Sequence, residues 1–130
     1  MTVTLLILAS VLGFVHIFAA ILVETRIRGA AWNAGPRDHT DPEDVPVIVG
    51  RLRRAQANFL ETFPFFATLM LICLVSGTED WRVTTGGWIY LAARAAYLPI
   101  YAKGTPGIRS LIWLVSILGI ALVGWAAAAG

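Results

Sequence analysis

Residues 3–23 read VTLLILASVLGFVHIFAAILV and contain no charged side chain. A helix needs about 20 apolar residues to cross the hydrocarbon core of a bilayer, and this stretch has that length. The whole chain has 130 residues, of which 58% are hydrophobic and 14% are charged. A soluble domain of this size cannot bury so much apolar surface. The composition therefore predicts a single-domain, all-α integral membrane protein.

Three further stretches complete a predicted bundle of four transmembrane helices. The predicted spans are approximately residues 3–23, 52–77, 84–102 and 109–129. The two middle spans cross only if polar side chains enter the membrane region, where such groups usually face the bundle interior or a wet cavity. The connection over residues 24–50 is rich in Pro, Asp, Asn and Gly, which predicts a loop. Short turns are expected at residues 77–82 and 103–108.

The distribution of Lys and Arg predicts the orientation in the membrane. Only Arg82 lies on one side of the predicted bundle, and eight basic residues lie on the other: Arg26, Arg28, Arg37, Arg51, Arg53, Arg54, Lys103 and Arg109. By the positive-inside rule, both longer loops are cytoplasmic and both termini are outside. Charges placed in this way do not indicate nucleic-acid binding. Since Cys73 is the only cysteine and His16 has no ligand-forming neighbour in the sequence, no metal site is expected.

A polar stripe runs along the second predicted span. Its members are spaced i, i+3, i+7, i+10 and i+14, which places them on one helix face: Arg51, Arg54, Asn58, Glu61 and Phe65. Gln56 lies off this stripe. One interpretation is anchoring at the membrane interface, with Glu61 paired to Arg54. The other is a site for a zwitterionic or polyanionic small molecule, in which the arginines bind carboxylates while Glu61 and Asn58 accept from an ammonium or amide.

A second stripe on the third span combines tyrosines with an arginine: Tyr90, Arg94, Tyr97 and Tyr101. A guanidinium at this depth needs a partner, and Glu61 is the only carboxylate within a predicted span. We therefore predict that Glu61 and Arg94 approach each other, within or between subunits, as a structural or a functional ion pair. Arg109, at the start of the fourth span, is by itself typical of an interfacial anchor.

Two runs of this sequence resemble the MAPEG family, the membrane-associated proteins in eicosanoid and glutathione metabolism. Residues 51–64, RLRRAQANFLETFP, resemble the signature of that family's second helix. Residues 93–97, ARAAY, with the later Tyr101 and Arg109, resemble its third and fourth helices. The chain resembles prokaryotic members of the family and also microsomal glutathione transferase and leukotriene C4 synthase, although Thr62 stands where the last of these has a tyrosine.

The resemblance implies a homotrimer that binds glutathione, as a co-substrate, between neighbouring subunits near the cytoplasmic side. Arg109 would stabilise the glutathione thiolate and, with Tyr101, form the catalytic pair. Arg26 or Arg28 would contribute a carboxylate contact from the end of the first span. The glutathione-binding residues implied by the resemblance are Arg26, Arg28, Arg54, Gln56, Asn58, Glu61, Tyr97, Tyr101 and Arg109.

The function implied is that of a glutathione transferase of a bacterial inner membrane, with glutathione peroxidase activity in addition. Its thiolate would attack a lipophilic small molecule that arrives from the surrounding membrane lipids. The alternative is a non-catalytic lipid-binding or scaffold trimer of the same fold. A third interpretation, an ion-coupled carrier built on Glu61 and Arg94, is disfavoured because the sequence has no internal repeat.

Overall fold

The computed structural model of this protein describes residues 1–36, 45–105 and 107–129. These residues form four long helices and one short one: α1 (Thr2–Arg28), α2 (Ala30–Ala34), α3 (Val47–Ser76), α4 (Trp81–Lys103) and α5 (Ile108–Ala129). The all-helical bundle predicted from the sequence is therefore present. The long helices follow the four predicted spans in order and extend beyond most of their predicted ends.

Three helices in the described part of the chain, α1, α3 and α5, are long and apolar enough to cross a membrane. Helix α4 has 23 residues, which corresponds to about 35 Å at the α-helical rise. It is less apolar than the others because Arg94 lies in its middle and because Thr, Gly, Trp and Tyr occupy many of its other positions. The protein is thus a multi-pass membrane protein, and the crossing of α4 stays a prediction.

The prediction of a loop over residues 24–50 is wrong at both ends. Helix α1 continues to Arg28 and ends at Gly29, whose φ of 90° interrupts the helix. Helix α2 follows directly, and α3 begins at Val47 rather than near residue 52. The physical reason is that a helix continues past the apolar core when its polar side chains find partners beyond it. The acidic run at residues 41–44, Arg37 and Pro106 lie outside the described residues.

The turn between α3 and α4 is closed by its own side chains. Asp80 Oδ1 accepts hydrogen bonds from the backbone N–H of Arg82 at 2.8 Å and of Val83 at 3.3 Å, which caps the first turn of α4. The Arg82 guanidinium hydrogen-bonds the same carboxylate and holds the pKa of Asp80 below its usual value. The other end of α4 stops at Gly104 in a left-handed conformation.

Helices α3 and α4 each pack against both α1 and α5. The core contains buried side chains from all four long helices: Leu5, Ala9, Phe66, Met70, Cys73, Val83, Tyr90, Leu91, Val123 and Ala126. Glycines bring α4 and α5 into backbone contact, since a Cβ atom at Gly86 would lie 2.7 Å from the Gly119 carbonyl oxygen. The end of α4 lies next to the start of α5 because only a short connection joins Lys103 to Ile108.

His16 is buried in the bundle as a packing residue. Its Nδ1 atom lies 2.9 Å from the carbonyl oxygen of Leu12, one turn earlier in α1. Its ring stacks on Phe59 of α3, with 4.6 Å between ring centroids. These contacts make His16 a packed, hydrogen-bonded side chain of the core.

Candidate functional site

A polar cavity of about 160 Å³ lies where α3, α4 and α5 meet. Six residues line it: Asn58, Tyr97, Tyr101, Arg109, Ser110 and Trp113. Four of these belong to the set predicted from the sequence, and they come from three different helices. A larger cavity of about 330 Å³ between α1 and α4 is lined by apolar and aromatic side chains such as Leu8, Trp88 and Leu91. Of these two cavities, the smaller one combines a cation with hydroxyl and amide groups.

The Tyr101 ring lies beside two positively charged side chains. The Cζ atom of Arg109 lies 5.5 Å from the centroid of the Tyr101 ring, and that of Arg54 lies 5.9 Å from it. Both distances are within the range of cation–π contact. Tyr97, one turn earlier in α4, packs against Tyr101 with 5.3 Å between ring centroids. Two guanidinium groups and two phenol rings are thus concentrated at the end of α4.

Arg94 lies beneath this cavity and is completely buried, with no solvent-exposed surface. Its Nη1 donates to Asn58 Oδ1 at 2.7 Å, and its Nη2 donates to Thr62 Oγ1 at 2.8 Å. Its Cζ atom also lies 5.3 Å from the centroid of the Tyr97 ring. A neutral amide, a hydroxyl and an aromatic ring therefore surround this cation.

The predicted ion pair between Glu61 and Arg94 does not form within the chain. Glu61 is exposed on α3, and Arg94 takes Asn58 and Thr62 as its partners instead. Asn58 and Thr62 are four positions apart and share a helix face, whereas Glu61 is rotated by about 100° from Thr62. The direction in which α3 faces α4 therefore decided the partner of Arg94.

Arg54 and Gln56 lie on opposite sides of α3. Two positions along a helix correspond to a rotation of about 200°, so the two side chains diverge. Arg54 lies beside Tyr101, while Gln56 does not line the cavity. Within one subunit, the structure thus brings Arg54 but not Gln56 to the site.

Arg26 and Arg28 also lie away from the cavity. Arg26 is exposed, and Arg28 Nε lies 3.4 Å from Glu24 Oε1 on the same helix. Glu24 is only 5% exposed and accepts a second contact, at 2.5 Å, from Arg53 Nη2 of α3. This cluster joins α1 to α3. Sequence reasoning missed it, although the i, i+4 spacing of Glu24 and Arg28 was a visible signal.

Two cavity residues were not among the predicted binding residues. Ser110 directly follows Arg109, and Trp113 lies one helical turn after Arg109 in α5. The i, i+4 spacing from Arg109 could have identified Trp113 as facing the same region. In the described part of the chain, no group of three or more His, Cys, Asp or Glu side chains is arranged to hold a metal ion.

A family model described as the MAPEG family matches residues 5–129 of this chain. The match extends over nearly the whole sequence and includes every residue of the polar cavity. The chain belongs to the MAPEG family. The resemblance based on residues 51–64 and on the later Tyr and Arg positions is thereby confirmed. A comparison with curated proteins gave no match.

MAPEG proteins are membrane proteins, many of them enzymes that use glutathione. For this MAPEG protein, membership agrees with the all-helical bundle and with its apolar helices of membrane-spanning length. Membership alone assigns neither a reaction nor an oligomeric state. The reaction depends on the chemistry of the cavity at the end of α4.

Proposed function

We propose that this MAPEG protein is a membrane-bound glutathione transferase that also has glutathione peroxidase activity. The observation that carries the proposal is the convergence of Arg109, Arg54 and Tyr101 beside the Asn58 and Tyr97 side chains. Glutathione is an anionic tripeptide with two carboxylates, one ammonium and one thiol. The two guanidinium groups of the site match the carboxylates, a nearby carboxylate matches the ammonium, and hydroxyl donors match the sulfur.

The size of the cavity supports a site that is shared between subunits. Its volume of about 160 Å³ is below the roughly 300 Å³ at which pockets for small molecules begin. A neighbouring subunit would supply the remaining wall. In the proposed homotrimer, Gln56 and either Arg26 or Arg28 approach from the neighbour, since these residues lie away from the cavity of their own chain.

Arg109 performs the central electrostatic step. A thiol with a pKa near 8.5 is mostly protonated at pH 7, and an adjacent guanidinium favours the thiolate. Arginine stays charged and cannot take the thiol proton, so that proton leaves to solvent. The Tyr101 hydroxyl donates a hydrogen bond to the sulfur and holds it beside Arg109. The effect is the stabilisation of negative charge where the nucleophile forms.

The thiolate then attacks a lipophilic electrophile supplied by the bilayer. With an aryl halide, the carbon–sulfur bond forms and the halide leaves. With a lipid hydroperoxide, two glutathione molecules are oxidised to the disulfide while the peroxide is reduced to an alcohol and water. The proposed location is a bacterial inner membrane, with the glutathione site on the cytoplasmic side and both termini on the periplasmic side, as the distribution of basic residues favours.

The first test is a titration of the purified protein with glutathione in detergent, in which binding is monitored as a rise in thermal stability. Saturable stabilisation is expected because a ligand that binds only the folded state raises its stability. Arg54→Ala and Glu61→Ala should abolish it. Arg82→Ala is the matched control, since it removes a positive charge at the opposite end of α4.

Activity is tested separately by conjugation of a reactive aryl halide and by reduction of a lipid hydroperoxide. Turnover that is lost in Arg109→Ala while glutathione still stabilises the variant would support the assigned role of Arg109. Unchanged turnover in Arg109→Ala would refute the mechanism. Absence of any glutathione effect would instead favour a non-catalytic lipid-binding trimer, for which the apolar cavity between α1 and α4 is the corresponding feature.

A further inference from the structure

Arg94 fixes the orientation of the Asn58 carboxamide. An arginine side chain carries five N–H donors and no acceptor, so the Asn58 atom that lies 2.7 Å from Arg94 Nη1 must be its oxygen. The oxygen of Asn58 therefore faces the protein interior. Since Asn58 also lines the polar cavity, the group left for a ligand is its Nδ2 amide, which carries two hydrogens and only donates.

The guanidinium that imposes this orientation cannot easily turn away. Arg94 is fully buried, and its second nitrogen donates to Thr62 Oγ1 at 2.8 Å. The Thr62 hydroxyl in turn lies 3.1 Å from the carbonyl oxygen of Phe59, to which it can donate while it accepts from Arg94. Rotation of Asn58 would place its NH₂ group against a buried cation and leave that cation without its acceptor.

We infer that Asn58 is a hydrogen-bond donor in the ligand site and that Arg94 is the positioning residue that makes it one. The atom recognised by Asn58 is then a carbonyl or carboxylate oxygen of the bound peptide. This corrects the expectation that Asn58 accepts from an ammonium group. The ammonium is left to Glu61, the exposed carboxylate one turn further along α3. In naming glutathione as the ligand, the inference rests on the proposed function.

The substitution Asn58→Asp distinguishes a hydrogen-bond donor role of Asn58 from an acceptor role. Aspartate has nearly the same shape, and one of its oxygens can still accept from Arg94, so the fold keeps its internal contact. Its second oxygen replaces the NH₂ group in the cavity and would face an oxygen of the ligand. The Kd for glutathione should rise at least tenfold, because the variant loses one charge-assisted hydrogen bond and gains a repulsion between two oxygens. An acceptor role for Asn58 predicts the opposite, tighter binding of the ammonium.

The experiment measures the Kd for glutathione and for S-methylglutathione, with thermal stability recorded without ligand. The inference would be supported if the Kd values for both ligands rise by the same factor while the thermal stability of the variant equals or exceeds that of wild type. Weakening of glutathione alone would assign the contact to the sulfur and overturn it, as would unchanged or tighter binding. Lys103→Gln, an exposed position at the end of α4, controls for the change of one unit in net charge.

Arg94 is tested by comparing Arg94→Lys with Arg94→Met in the same assay. Lysine keeps a donor for Asn58, whereas methionine has a similar length but no hydrogen to donate. If Arg94 positions Asn58, lysine should recover most of the glutathione affinity that methionine loses. A merely structural role would lower the thermal stability of Arg94→Met and leave its Kd unchanged. If wild type itself shows no saturable glutathione binding, the proposed function fails together with the inference, whereas tight binding by Asn58→Asp overturns the inference alone.

Discussion

Gly86→Ala should destabilise the bundle, although alanine is normally the better helix former. Gly86 of α4 lies against Gly119 of α5, and a Cβ atom there would be 2.7 Å from the Gly119 carbonyl oxygen and 2.9 Å from Val123 Cγ2. The first of these contacts is with backbone, which cannot rotate away. The helices must therefore separate, and contacts along the whole interface between α4 and α5 loosen.

The magnitude follows from two opposing effects. Overpacking of a well-packed interface costs about 1–3 kcal/mol, and replacing a helical glycine by alanine returns about 1 kcal/mol. A net loss of up to about 2 kcal/mol is expected for Gly86→Ala. Gly124→Ala in α5 is the matched control, because a Cβ atom there would meet Leu69 Cδ1 at 3.4 Å, an ordinary contact. It should be neutral or stabilising by up to about 1 kcal/mol.

The assay is thermal or denaturant unfolding of both variants in the same detergent. The two proteins have identical composition and differ only in which glycine is replaced, so detergent effects cancel. Gly86→Ala should unfold several degrees below wild type, and Gly124→Ala at or above it. Equal stability of the two variants would refute the backbone contact between α4 and α5.

Three further predictions concern charged side chains. Arg109→Leu should raise the pKa of the bound glutathione thiol by at least about one unit, whereas Arg109→Lys should raise it less; pH–rate profiles would show this, and superimposable profiles would contradict it. Glu24→Gln should cost about 1–3 kcal/mol, because the Arg53 contact loses its anionic partner; a double-mutant cycle with Arg53→Gln should give a coupling energy, and strict additivity would mean that the pair is inert. Asp80 has a depressed pKa because its carboxylate is hydrogen-bonded by Arg82, so it stabilises the fold above about pH 4 and this stability is lost as the pH falls further. Asp80→Asn should flatten that acid limb in a series of unfolding temperatures against pH, and an unchanged limb would count against the assignment.

Length and hydropathy were sufficient to predict the helical membrane fold, and helical spacing predicted the stripes that contain Asn58, Tyr97 and Tyr101 of the cavity. Four long helices appear in the predicted order, because a long apolar stretch in a bilayer has few alternatives to a helix. The spacing of Tyr97 and Tyr101 on one face also survives in the structure, since it depends only on the helical period. The motif at residues 51–64 was sufficient to identify the family.

Only the tertiary structure decided which polar groups meet. Charge alone predicted Glu61 as the partner of Arg94, but the rotation of α3 presents Asn58 and Thr62 to α4 and leaves Glu61 exposed. The polarity of Asn58 in the cavity depends on that same contact. A sequence specifies which side chains share a helix face, whereas the angle at which two helices pack decides which face is buried. For this reason the sequence supplied four of the six residues that line the cavity, and the packing of α3 against α4 determined which polar groups meet there.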